Sequence, residues 1–138
     1  MTDNPQPQPI SVVVPTYGRD QVLIDTLRRI LALDPGPAEL LVIDQTTQHS
    51  AEVEKALRDW NDCGVLRWLR LESPSITAAM NRGLLEARHT LVLFLDDDVV
   101  PSPPLVREHW AAQQRSPGQT SRGVATGPHS QAPPAATP

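Results

Sequence analysis

A single cysteine in 138 residues leaves no partner for an intramolecular disulfide and no ligand set for a cysteine-based zinc site. Cys63 has no nearby histidine or CxxC partner and reads as a plain thiol in a loop or at a strand edge. Cations are also short: 12 lysines and arginines stand against 16 aspartates and glutamates, a formal net charge of −4, with no basic patch. Nucleic acid is therefore not an expected partner, because its binding rests on clustered positive charge. No apolar run approaches the roughly 18 residues of a transmembrane span. The opening MTDNPQPQP is polar and proline-rich, without the basic-then-apolar order of a signal peptide. These absences set the expectation of a soluble, cytoplasmic chain with room for one domain.

Proline is plentiful, and its placement divides the chain. Of 15 prolines, three fall in residues 1–9 and five in residues 116–138. The tail SPGQTSRGVATGPHSQAPPAATP holds one strongly apolar residue, Val124, and cannot bury enough surface to offset its ordering entropy. The expectation is a disordered 1–9, a folded 10–115 and a disordered, low-complexity 116–138.

Within 10–115, four apolar strand candidates alternate with four helix candidates. Ile10–Val14 is β-branched and ends at Pro15. Residues 20–33 place Leu23, Leu27, Ile30 and Leu31 on one helical face, and Asp34-Pro35-Gly36-Pro37 stops them. Glu39–Ile43 is the second strand. Residues 50–60 form a helix with Ser50 as N-cap. Val65–Leu71 is more polar, with Arg67 and Arg70 on opposite faces, which predicts an edge strand. In 75–87, Ile76, Ala79, Met80, Gly83, Leu84 and Ala87 recur at helical spacing. Thr90–Leu95 is the fourth strand, and Ser102-Pro103 opens a helix to about Gln114. This alternation predicts an α/β, Rossmann-like parallel sheet with flanking helices and strand order 3-2-1-4. In that order the ligand site lies beyond the carboxyl ends of the strands, where strands 1 and 4 are neighbours.

Three polar segments meet at that rim: Pro15-Thr16-Tyr17-Gly18-Arg19-Asp20, Asp44-Gln45-Thr46 and Asp96-Asp97-Asp98. Three adjacent carboxylates repel one another, and a divalent cation reverses that penalty. Hard oxygen ligands suit Mg²⁺ or Mn²⁺, held by one or two carboxylates plus substrate phosphates. If the stretch is extended, Asp96 and Asp98 face one ligand and Asp97 faces elsewhere. The competing reading is a solvated acidic turn that caps the next helix.

SVVVPTYGRD, LLVIDQT, SITAAMNRGLLEA and LVLFLDDDVVP, in that order, resemble the donor-binding half of the family-2 glycosyltransferases. The resemblance covers about residues 10–115. It implies a nucleotide-diphospho-sugar transferase (GT-A) fold, a nucleotide-sugar donor, often a UDP-sugar, and an inverting transfer to an acceptor that the sequence does not identify. Carried over by position, Pro15, Thr16 and Tyr17 line the nucleobase pocket and Arg19 lies near the nucleotide. Asp44 sits at the base or ribose, with Gln45 where many members carry Asp or Asn. Asp96 and Asp98 form the DxD pair, with Asp98 the direct metal ligand and Asp97 counted in the donor site.

The chain departs from the family in two further ways. Met80 stands where members often carry Arg, so Asn81 is read either as a donor contact or as a polar position beside the apolar stripe. Arg82 is read as a phosphate ligand or a surface arginine. The acceptor half, with its general base, does not follow the fourth helix. His109 is the sole nearby base candidate, and a helix-face histidine is usually structural. The expectation is a truncated transferase or, alternatively, a non-catalytic nucleotide-sugar binding module. A receiver domain or an aspartate-nucleophile phosphatase would need its acidic group after strand 1, where Pro-Thr-Tyr-Gly stands. The apolar LVLFL strand, left at a sheet edge, is expected to promote self-association.

Overall fold

In the computed structural model, residues 8–72, 74–115 and 124–125 are described. Strands and helices alternate: β1 (Gln8–Thr16), α1 (Gln21–Leu31), β2 (Pro37–Asp44), α2 (Ala51–Asp62), β3 (Arg67–Arg70), α3 (Ile76–Glu86), β4 (Leu91–Leu95), α4 (Leu105–Arg115) and β5 (Val124–Ala125). The sheet runs β3-β2-β1-β4-β5, all parallel, with β3 at one edge as its mixed composition predicts. The expected order of the first four strands is the observed one.

Side-chain alternation sorts the core onto two faces. Ile10, Val12 and Val14 of β1 pack with Leu40 and Val42 of β2 and Leu91, Leu93 and Leu95 of β4. The apolar stripes of α1 and α2, and Val106 of α4, cover that face. On the other face Val13, Leu41, Ile43, Val92 and Phe94 meet Ala79 of α3. There α3 comes unusually near: a Cβ added to Gly83 would stand 2.5 Å from Val13 Cγ1.

Several expected boundaries shift. β1 begins at Gln8, whose N–H donates to Gly36 O at 2.9 Å, so the disorder expected for 1–9 does not hold at Gln8 and Pro9. Pro9 lies where the β1–β2 register shifts, a place that tolerates a missing donor. β3 is shorter than Val65–Leu71. α4 starts at Leu105 rather than at Pro103, with Leu105 N donating to Ser102 O across a turn. Pro103 precedes Pro104, and a residue before proline is disfavoured in helical conformation.

The α3 stripe is also corrected. Ala79 and Gly83 are buried, but Ile76 is 61% and Leu84 53% exposed. Val124–Ala125, in the stretch expected to be disordered, pairs with Phe94 and Leu95. LVLFL is therefore not the outermost strand, and each of its residues is buried. The rest of that tail, and residues 1–7, lie outside the described residues. Cys63 is exposed at the C-terminal cap of α2.

Candidate functional site

The carboxyl ends of β1, β2 and β4 open onto a pocket of about 440 Å³ lined by Pro15, Thr16, Tyr17, Arg19, Gln45, Pro74, Ser75, Ile76, Asp96 and Asp97. Parallel strand order puts these three loop segments together. Cross-links then fix their spacing. Gln45 N donates to Thr16 O at 2.9 Å, and Gly18 N donates to Thr46 Oγ1 at 2.8 Å. Gly18 has φ of 71°, a left-handed turn that a side chain would strain, and this turn redirects the chain from Tyr17 to Arg19.

Of the residues singled out in the sequence, Pro15, Thr16, Tyr17, Arg19, Gln45, Asp96 and Asp97 are brought together in the pocket lining. Tyr17 stands 59% exposed at its mouth. Gln45 is buried at its base, its Oε1 accepting from Ser75 N at the start of α3 and its Nε2 making a long 3.5 Å contact with Thr16 O.

The aspartate run departs from the expected alternation. β4 ends at Leu95, and the chain turns through Asp97 and Asp98. Asp96 and Asp97 therefore line the pocket, while Asp98 is outside its lining. Asp97 Oδ2 accepts from the buried Thr16 Oγ1 at 2.7 Å. Arg19 spans the run, with Nε 3.4 Å from Asp97 Oδ1 and a terminal nitrogen 3.6 Å from Asp98 Oδ2. Burial pushes the Asp97 carboxyl above its ordinary range, against the pull of the Thr16 hydroxyl and Arg19.

Two expected donor residues are placed elsewhere. Asn81 lies on the exposed surface of α3, outside the pocket lining. Asp44 has a side chain with no solvent exposure. Its Oδ1 accepts from Thr46 N at 2.9 Å, and its Oδ2 accepts from Trp68 Nε1 at 2.8 Å and faces His49 Nε2 at 2.6 Å. Its oxygens are engaged within the fold rather than at the pocket, and they hold the end of β2 in place behind Gln45. Arg82 Nε donates to Glu86 Oε2 at 3.2 Å, which fits the surface-arginine reading. His109 lies on α4 outside the pocket lining, and burial lowers its pKa.

Pro74, Ser75 and Ile76 were not among the expected lining residues; the signal for them was the Ser75 N-cap, which puts the start of α3 at the same rim. His49 was also missed: Asp44 is five residues away, but its other partner, Asp20, is 29 residues away in sequence. Among the described residues no cluster of three or more histidine, cysteine, aspartate or glutamate side chains is arranged to hold a metal by itself, and no helix is long and apolar enough to cross a membrane.

Solved structures share this fold. TarS residues 1–349 from S. aureus, in complex with UDP-GlcNAc, superposes with a TM-score of 0.60 at 21% identity, over 77% of this chain and 31% of that one. The mannosyltransferase PcManGT from Pyrobaculum calidifontis, in complex with GDP-Man and Mn²⁺, gives 0.58 at 22% identity, over 77% of this chain and 34% of that one. The chain thus spans about a third of the length of these structures. Comparison with curated proteins returns no match. The description of Glycosyl transferase family 2 matches residues 11–121, from β1 to beyond α4, and this chain belongs to that family.

Proposed function

We propose that the pocket binds the nucleotide diphosphate of a sugar donor, and that the chain is the donor-binding part of a glycosyltransferase. The observation that carries this is the convergence of Tyr17, Gln45, Asp96 and Asp97 on one pocket at the switch between β1 and β4, in a family-2 chain. The two neighbours, held with UDP-GlcNAc and with GDP-Man, support a nucleotide-sugar as the ligand class.

In this reading the base lies against Pro15 and the Tyr17 ring, and the Gln45 amide offers it one donor and one acceptor. The diphosphate lies toward Asp96 and Asp97. The residues there fit a divalent cation: hard carboxylate oxygens, one of them kept in unfavourable burial, with one guanidinium against two of the acids. Asp96 and Asp98 would hold Mg²⁺ or Mn²⁺, while Thr16 restrains Asp97. Bound there, the cation supplies charge neutralisation for the departing diphosphate. Arg19 adds positive charge on the same side. The acceptor hydroxyl attacks the anomeric carbon as the bond to diphosphate breaks, with inversion, and its proton passes to a base outside the pocket lining.

A nucleotide-sugar binding module without transfer is the second reading. Its support is that the described lining holds no histidine or glutamate, and that this reading assigns the two lining carboxylates, Asp96 and Asp97, to the diphosphate. Calorimetric titration of UDP and GDP, with and without Mn²⁺, tests the shared core of both. Metal-dependent binding that Asp96→Asn abolishes is expected. No heat from a chain shown by circular dichroism to be folded would overturn it. Sugar transfer by the binding-competent chain to a panel of acceptors then separates enzyme from module.

A further inference from the structure

His49 is a fully enclosed titratable group outside the pocket lining: its side chain has no solvent exposure. Its Nδ1 lies 2.7 Å from Asp20 Oδ1 and its Nε2 lies 2.6 Å from Asp44 Oδ2. Both neighbours are acceptors when ionised. A neutral ring has one N–H and would set its bare nitrogen lone pair against a carboxylate; an imidazolium satisfies both.

The three residues join three pieces of chain. Asp20 caps the N-terminus of α1, yet its side chain makes no bond to its own helix. It reaches instead to His49 and, through Oδ2, accepts from Ser50 N at 3.1 Å, at the start of α2. Asp44 closes β2. Immediately before Asp20 run Tyr17 and Arg19, and immediately after Asp44 comes Gln45, all three in the pocket lining. The ring therefore ties, from behind, the two loops whose front faces form the nucleobase end of the pocket. On the remaining side, Trp68 of β3 packs at a centroid distance of 6.4 Å, with the Arg70 guanidinium 5.0 Å from the Trp68 ring centroid. The charged groups facing His49 are thus Asp20 and Asp44, with Arg70 screened behind the indole.

Resting on the nucleotide reading of the pocket, we propose that His49 is a positioning residue: shared as an imidazolium between Asp20 and Asp44, it fixes the loops that carry Tyr17 and Gln45, and nucleotide affinity falls when the ring loses its proton. Burial opposes the charged ring, but the hydrogen bonds and charges of Asp20 and Asp44 outweigh it and raise the pKa above the ordinary histidine value. The loss of affinity accordingly falls on the alkaline side of about pH 6.5.

The test is the UDP dissociation constant of the full chain from about pH 6 to about pH 9, for wild type, His49→Gln and Asp20→Asn, with ring protonation followed in parallel by imidazole NMR. His49→Gln keeps a polar side chain that does not titrate. The wild type is expected to bind about tenfold more tightly when protonated than at the alkaline end, a loss typical of one charged hydrogen bond, and to converge there on the weaker, less pH-dependent His49→Gln. Asp20→Asn, which leaves His49 in place should the first variant not fold, is expected to lower the ring pKa and move the wild-type affinity profile to lower pH with it. Equal affinity and equal pH slope in wild type and variants would overturn the positioning role while leaving the nucleotide site standing. No UDP binding by any folded variant at any pH would overturn both.

Discussion

Asp97 is a residue whose surroundings work against stability. Its carboxyl is largely buried and pushed upward in pKa, with Asp98 adding like charge. Asp97→Asn keeps an acceptor for the Thr16 hydroxyl and removes the buried charge. The melting temperature is expected to rise by about 3 °C, while Mn²⁺-dependent UDP binding weakens; differential scanning calorimetry and titration check the two halves. pH dependence divides between two groups of residues. Asp20 is held below the ordinary aspartate value, chiefly by the hydrogen bond from His49. Burial works to raise Glu39, but Ser11, the Arg88 N–H and Arg67 together hold it below the ordinary glutamate value. Depressed carboxylates contribute stability that is present above their unfolded values and lost as pH falls through the folded ones. His49 is raised, so its contribution is complete below about pH 6.5 and lost as pH rises through its folded value. Thermal melts should therefore show a plateau between about pH 5 and about pH 6.5, with an alkaline decline that His49→Gln flattens. None of this was legible in the sequence. Asp44 stood at the right strand end for a ligand contact, but Trp68 reaches it from β3 and His49 turns back onto it from the same loop, and only the folded packing shows that the two enclose it.

At the level of elements, the clearest prediction concerns α3 and β1. Gly83→Ala places a methyl 2.5 Å from Val13 Cγ1, so helix or strand must shift. A cost of about 1–3 kcal/mol is expected from overpacking, read from chemical denaturation, and Val13→Ala in the same chain should recover part of it. The sequence marked Gly83 only as one position in an apolar stripe; its role as the contact point depends on how closely the helix sits. Strands were easier to read. β1, β2 and β4 are β-branched or leucine-rich runs bounded by proline or acidic residues, and buried parallel strands demand that composition. Their order followed from right-handed crossovers. Ends were harder: Gln8-Pro9 joined β1 through pairing at Pro37, and the aspartate run turned instead of extending, which put Asp97 rather than Asp98 into the pocket.

At the scale of the whole molecule, apolar exposure among the described residues lies on a different feature from the one expected. β4 is flanked by β1 and β5, whereas α3 presents Ile76, Leu84 and an 83% exposed Leu85 to solvent. Self-association, if measured, should therefore respond to α3. Leu84→Lys with Leu85→Lys is expected to lower the apparent mass in light scattering at high protein concentration, without lowering the melting temperature, since neither side chain belongs to the core. Outward charges in β4 would instead unfold the chain, because every β4 side chain is buried. The opposite rim of the sheet is fixed by Arg67, whose guanidinium meets Glu39 at 2.9 Å and Glu86 at 2.8 Å, joining β2, β3 and the end of α3 away from the pocket.

The two faces of the sheet are unequally guarded. α1, α2 and α4 share one, and the described residues place α3 alone on the other. With no described helix beside it, α3 is expected to open more easily than the three helices that share the other face, so amide deuterium exchange should divide accordingly. The N–H groups of α3 are expected to exchange at a low opening free energy, as one cooperative unit, while those of β1 wait for global unfolding. Because Gln45 accepts from Ser75 N at the first turn of that helix, each such excursion also breaks one wall of the pocket, and a bound nucleotide would register as slowed exchange in α3 ahead of any other element.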